Sequence, residues 1–95
     1  MKHTILIVEN DEGLQKYLKE FLLDNGFIAH AIPNGLEALE QFDINRPDLV
    51  LLDLGLPVMT GETVLQEIRK KTKDLPIIIL TAKDTPSDII EGLNI

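Results

Sequence analysis

The chain has 95 residues, enough for one small domain, and contains no cysteine, which excludes disulfides, thiolate zinc sites and cysteine nucleophiles. Its 9 basic and 16 acidic residues give a formal net charge of −7, which disfavours direct contact with nucleic acid or an anionic membrane surface. The apolar run at residues 5–8 is too short for a signal peptide or a membrane span. We therefore expect residues 1–95 to form one soluble cytoplasmic domain.

Three short apolar runs predict buried strands. They are continuous rather than alternating, as in strands covered on both faces of a parallel sheet. They are residues 5–8 (ILIV), 49–52 (LVLL) and 77–80 (IIIL). A weaker run at 27–32 (FIAHAI) is typical of an edge strand.

Four further segments have the apolar spacing of amphipathic helices: 12–25, 34–44, 60–72 and 85–93. Asp11 and Asn34 are the predicted N-caps of the first two helices, and Gly26 suits the C-terminal end of the first. The first two helices are expected to bury their apolar stripes, which comprise Leu14, Tyr17, Leu18, Phe21 and Leu22 in one and Leu36, Leu39 and Phe42 in the other.

Polar residues directly follow the three buried strands. Glu9 and Asn10 follow the first strand, Asp53 the second and Thr81 the third. Alternating strands and helices predict an α/β fold with an open parallel sheet, in which these strand ends meet at one ligand-binding edge. Carboxylates about 5 Å apart would repel by roughly 3 kcal/mol, which a hard cation such as Mg²⁺ removes. The alternative, that Glu9 and Asp53 are independent turn acids, stays open on spacing alone.

Three segments of the chain resemble the receiver domains of bacterial response regulators, the phosphoacceptor half of two-component signalling. They are residues 5–11 (ILIVEND), 47–61 (PDLVLLDLGLPVMTG) and 76–84 (PIIILTAKD). The middle segment is the most specific, because family members carry an acceptor aspartate followed by a loop that ends Pro-x-Met-x-Gly. The resemblance implies a flavodoxin-like parallel sheet with strand order 2-1-3-4.

The resemblance also implies how the chain acts. Asp53 is the expected phosphoacceptor, which takes its phosphoryl group from a phosphohistidine on a sensor histidine kinase or a phosphotransfer protein. Thr81 is the expected switch hydroxyl, and Ala82 leaves room for its movement. Such a domain assists its own phosphorylation and is not a turnover enzyme.

A magnesium site is implied at the same edge. Glu9 and Asn10 stand at the two positions where family members carry a pair of acids that binds Mg²⁺. Asp53 and the backbone carbonyl of Gly55 are the further ligands that the resemblance implies. The second position of the pair is usually an acid, and here it is an amide. We therefore expect weaker metal binding and slower phosphorylation than in an Asn10→Asp variant.

Family members also have a fifth strand and helix, with a lysine at the end of that strand, beyond the point where this sequence stops. Lys83 does not occupy that position. An unpaired edge at 76–81 would favour self-association. Asn10 and the absent lysine leave open a receiver-like interaction module that is not phosphorylated. A flavin-binding protein is disfavoured, because the acidic residues 9–13 (ENDEG) would repel a phosphate.

Overall fold

The computed structural model describes residues 2–80, in which strands and helices alternate. The elements are β1 (Thr4–Val8), α1 (Glu12–Asp24), β2 (Ile28–Ile32), α2 (Gly35–Asn45), β3 (Leu49–Asp53), α3 (Gly61–Lys71) and β4 (Ile77–Leu80). The strands form one parallel sheet in the order β2-β1-β3-β4, which confirms the predicted α/β fold. None of the helices in this part of the chain has the length and apolarity needed to cross a membrane. The helix predicted over 85–93 lies outside the described residues.

The core has two layers, one on each face of the sheet. Successive side chains of a strand point to opposite faces, so a continuous apolar run supplies both layers. The layer under α2 and α3 is built from Leu6, Val8, Ala38, Phe42, Val50, Leu52, Leu56, Val64 and Ile68. The layer under α1 is built from Ile5, Ile7, Leu22, Ala29, Leu51 and Leu80.

The sequence predicts more buried apolar residues on α1 and α2 than the structure shows. Tyr17 is 66% exposed, Phe21 56% and Leu36 52%, so their predicted burial was wrong. Neighbouring residues of a helix are about 100° apart, so once Leu22 points at the sheet, Phe21 turns towards solvent. In α2 the inward position is held by Ala38, which is 1% exposed.

Side-chain caps begin α1 and α2 where the sequence predicts them. The backbone N–H of Leu14 donates to Asp11 Oδ1 at 2.9 Å, and that of Glu37 donates to Asn34 Oδ1 at 2.9 Å. Gly26, just after α1, has a φ of 86°, a conformation that glycine adopts without steric strain. Asp11 is thus engaged in starting α1 at the carboxyl edge of the sheet.

Candidate functional site

The ends of β1 and β3 bring two acids together. Val8 pairs with Leu52 in the parallel register, so the next residues, Glu9 and Asp53, lie side by side. Glu9 is 3% exposed and Asp53 is 8% exposed, and they are the only buried charged residues among residues 2–80. The side chain of Asp53 acts on the Glu9 carboxyl group through a hydrogen bond and through its negative charge. The structure therefore contains one shared acidic pair rather than two separate turn acids.

Backbone and side-chain donors hold both residues of this pair. The N–H of Gly55 donates to Asp53 Oδ1 at 2.9 Å, and the N–H of Asp11 donates to Glu9 Oε2 at 3.3 Å. Gln15 Nε2 donates to the backbone carbonyl of Glu9 and so ties the first turn of α1 to the end of β1. The sequence does not predict this role of Gln15, because no spacing rule links a helix residue to a carbonyl six positions earlier.

The pKa of Glu9 is raised from its ordinary value of 4.5 to about 7, and the largest cause is burial of the carboxyl group. The hydrogen bond to Asp53 and the negative charge of that residue contribute to this rise, while backbone hydrogen bonds at Asp11 and Asn10 oppose it. Near neutral pH, the Glu9 carboxyl is therefore protonated in a substantial fraction of molecules. Within residues 2–80, no basic side chain forms an ion pair with Glu9 or Asp53, so a proton or a cation could supply positive charge to the pair.

Two further residues that the sequence assigns to a metal lie next to the acids in the chain. Asn10 is exposed beside Glu9, and Gly55 lies two residues after Asp53. No group of three or more His, Cys, Asp or Glu that could hold a metal occurs within residues 2–80. Asp11 caps α1, and the acids that interact at this edge are Glu9 and Asp53.

The end of β4 lies next to Asp53. Leu80 pairs with Asp53 in the register, and the N–H of Leu54 donates to the carbonyl of Leu80 at 3.3 Å. Thr81 and Ala82 follow Leu80 in the chain and lie outside the described residues. Their assigned roles stay predictions.

The loop between β3 and α3 contains a conformation that the sequence analysis did not anticipate. Val58 has a φ of 70°, and the N–H of Met59 donates to the carbonyl of Pro57 at 2.7 Å across it. The side chain of Val58 is 89% exposed. Valine carries no sequence signal for a positive φ, since β-branched residues rarely adopt one.

A groove at the opposite edge of the sheet does not take part in this site. It lies where α2 and α3 end and is lined by residues that include Phe42, Arg46, Asp48, Lys71 and Leu75. Its rim carries charges of both signs, and Lys71 pairs with Asp43 at 2.8 Å. Among the residues that the structure describes, the acidic pair at the carboxyl edge differs from this groove in having no basic ion-pair partner.

A family model described as the response regulator receiver domain matches residues 5–95. The chain belongs to this family. The response regulator MprA of Mycobacterium sp. (strain KMS) is 38% identical over 94 residues, which cover 99% of this chain and 41% of that protein. The transcriptional regulatory protein RprY of Bacteroides fragilis is 39% identical, with coverage of 99% and 40%.

The solved structures agree with this assignment. The non-phosphorylated receiver domain of HemR from Leptospira biflexa has a TM-score of 0.82 and 39% identity, covering 98% of this chain and 75% of that one. This receiver domain spans less than half the length of the curated relatives it matches. Receiver domains of response regulators act in two-component signalling and interact with histidine kinases in general.

Proposed function

We propose that this receiver domain accepts a phosphoryl group on Asp53 from a phosphohistidine of a sensor histidine kinase or a phosphotransfer protein in the cytoplasm. The observation that supports this most is the position of Asp53. It ends β3 at the carboxyl edge of the sheet, where the Gly55 amide holds one of its oxygens and Glu9 contacts its carboxyl group. Open parallel sheets bind their ligands at this edge.

The proposed step is a nucleophilic substitution at phosphorus. A carboxylate oxygen of Asp53 forms a bond to the phosphorus atom while the bond from phosphorus to the donor imidazole breaks, and the electron pair of that bond stays on the imidazole nitrogen. The N–H of Gly55, 2.9 Å from Asp53 Oδ1, restricts rotation of the carboxylate and so orients the nucleophile.

The residues at the edge fit Mg²⁺. Glu9, Asn10, Asp53 and the Gly55 carbonyl offer only oxygen atoms, which hard divalent cations prefer. The raised pKa of Glu9 supports this assignment, because it reflects burial of the carboxyl group beside the negative charge of Asp53. When bound, Mg²⁺ would supply positive charge against the pair and the phosphoryl oxygens.

We extend the proposal to the two residues that follow β4 and to the class of activity. Thr81 would act as the switch hydroxyl and Ala82 would leave space for it, as the family resemblance implies. The domain would be modified once per signal and would not turn over a substrate.

Intact-mass measurement tests the phosphoacceptor proposal. The purified chain is incubated with acetyl phosphate, with and without Mg²⁺, beside Asp53→Asn and beside Asp43→Asn, which removes an exposed acid on α2. We expect one phosphoryl adduct that requires Mg²⁺ and Asp53 and persists in Asp43→Asn.

An adduct that persists in Asp53→Asn would contradict the proposal. So would the absence of an adduct on a sample shown to be folded by circular dichroism. The second result would favour the interaction-module alternative, for which the amide at Asn10 is the supporting observation. Self-association through residues 76–81 also stays a prediction, which sedimentation of the chain would test.

A further inference from the structure

The first residue of α3 rests directly on the peptide that joins Asp53 to Leu54. The N–H of Gly61 donates to the carbonyl of Leu54 at 3.2 Å. A Cβ atom added to Gly61 would lie 2.5 Å from the carbonyl oxygen of Asp53 and closer still to the Cα of Leu54. Real Cβ atoms do not approach other atoms this closely, so any side chain here must displace the backbone.

The displaced atoms would belong to the residue that carries the proposed chemistry. Both contacted groups are backbone, which cannot rotate away as a side chain can. The N–H of Gly55, the residue after Leu54, donates a hydrogen bond to the Asp53 carboxylate. The N–H of Leu54 donates a hydrogen bond to the carbonyl of Leu80. A shift of the Asp53–Leu54 peptide would therefore change the orientation of the carboxylate.

Gly35 provides a matched comparison. It is the first residue of α2, as Gly61 is of α3, and both are buried. A Cβ on Gly35 would lie 2.5 Å from Val64 Cγ2 and 3.2 Å from the Cβ of Met59. The nearest of these atoms is a side-chain methyl group in the core, and none belongs to Asp53.

We propose that Gly61 is a positioning residue for Asp53. Glycine is needed at this position because a side chain would not fit, and not because the backbone has a conformation that only glycine adopts. Its missing side chain allows α3 to sit against the end of β3, and this contact sets the direction of the carboxylate. The inference rests on the proposed function, because positioning matters only if Asp53 reacts.

The test compares Gly61→Ala with Gly35→Ala in the full 95-residue chain. Urea unfolding gives the folded fraction, and intact mass gives the rate of modification by acetyl phosphate at saturating Mg²⁺ per folded molecule. We expect Gly61→Ala to lower this rate by about tenfold or more, because small misplacements of a reacting group slow reactions strongly. We expect less than about a twofold change in Gly35→Ala.

A second readout does not depend on phosphorylation. Amide NMR shifts of Asp53 and Gly55 should change in Gly61→Ala and stay at wild-type values in Gly35→Ala. Unchanged shifts, or equal rates in folded samples of the two variants, would overturn the inference. If the wild type gains no phosphoryl group, the proposed function fails, and the NMR comparison alone decides whether Gly61 orients Asp53.

If Gly61→Ala does not fold, an NMR titration of the wild-type protein tests the inference instead. On titration with Mg²⁺, the amide resonance of Gly61 should move together with those of Asp53 and Leu54, while that of Gly35 stays unchanged. A Gly61 resonance that does not respond while Asp53 and Leu54 do would overturn the inference.

Discussion

At the scale of single residues, the site consists of two buried acids beside an exposed amide. The sequence places Glu9 and Asp53 at neighbouring strand ends, because the apolar runs define the strands and parallel strands share an edge. It does not reveal that the two carboxyl groups touch or that the pKa of Glu9 rises to about 7. Those properties depend on burial and on side-chain distances, which no pattern of residue types contains.

Asn10→Asp tests the importance of charge at the second position of the pair. The new carboxylate would add a negative oxygen ligand, so we expect Mg²⁺ to bind about tenfold more tightly. Calorimetric titration of the metal-free protein measures this affinity. Asn34→Asp is the matched control, since it adds the same charge at an N-cap, where aspartate and asparagine perform equally. Equal affinity in Asn10→Asp and the wild type would contradict the prediction.

At the scale of secondary-structure elements, the N-caps of the helices are easier to predict from sequence than the residues that each helix buries. Asp11 and Asn34 act locally, so their capping follows from a few neighbouring residues. The exposure of Tyr17 and Phe21 depends on how much of the sheet α1 covers, which is a tertiary property. Periodicity shows which side of a helix is apolar and leaves open how much of that side is buried.

The loop between β3 and α3 is strained at Val58. Its φ of 70° is unfavourable for a β-branched residue, and its side chain is too exposed to gain much from packing. Asparagine tolerates this conformation, so we expect Val58→Asn to raise the free energy of unfolding by about 1 kcal/mol. Urea denaturation measures the change. Val58→Ala removes the same apolar surface without favouring a positive φ, and a similar gain in that variant would argue against relief of strain.

At the scale of the whole molecule, the fold buries negative charge at one edge of its sheet. The apolar strands form a core in two layers; Glu9 directly follows β1, and Asp53 is the last residue of β3. We expect this acidic pair to destabilise the folded protein until a proton or a cation compensates its charge. The family assignment identifies the domain. The negative charge of the buried acidic pair relates this fold to the proposed phosphoryl chemistry.

The dependence of stability on pH follows from the raised pKa of Glu9. Its pKa is about 7 in the folded protein and 4.5 in the unfolded chain, so folding favours the protonated form. The associated stability is fully present below pH 4.5, is lost as the pH rises towards 7, and is absent above that value.

The most direct test measures the free energy of unfolding of the wild type and of Glu9→Gln by urea denaturation between about pH 4.5 and 8 without metal. Glutamine has a similar shape and does not titrate, so the difference between the two proteins isolates Glu9. We predict that the wild type loses stability relative to Glu9→Gln across this window, and that Mg²⁺ restores part of it at the upper end. A difference that stays constant with pH would mean that Glu9 has the same pKa in the folded and the unfolded protein, which would contradict this prediction.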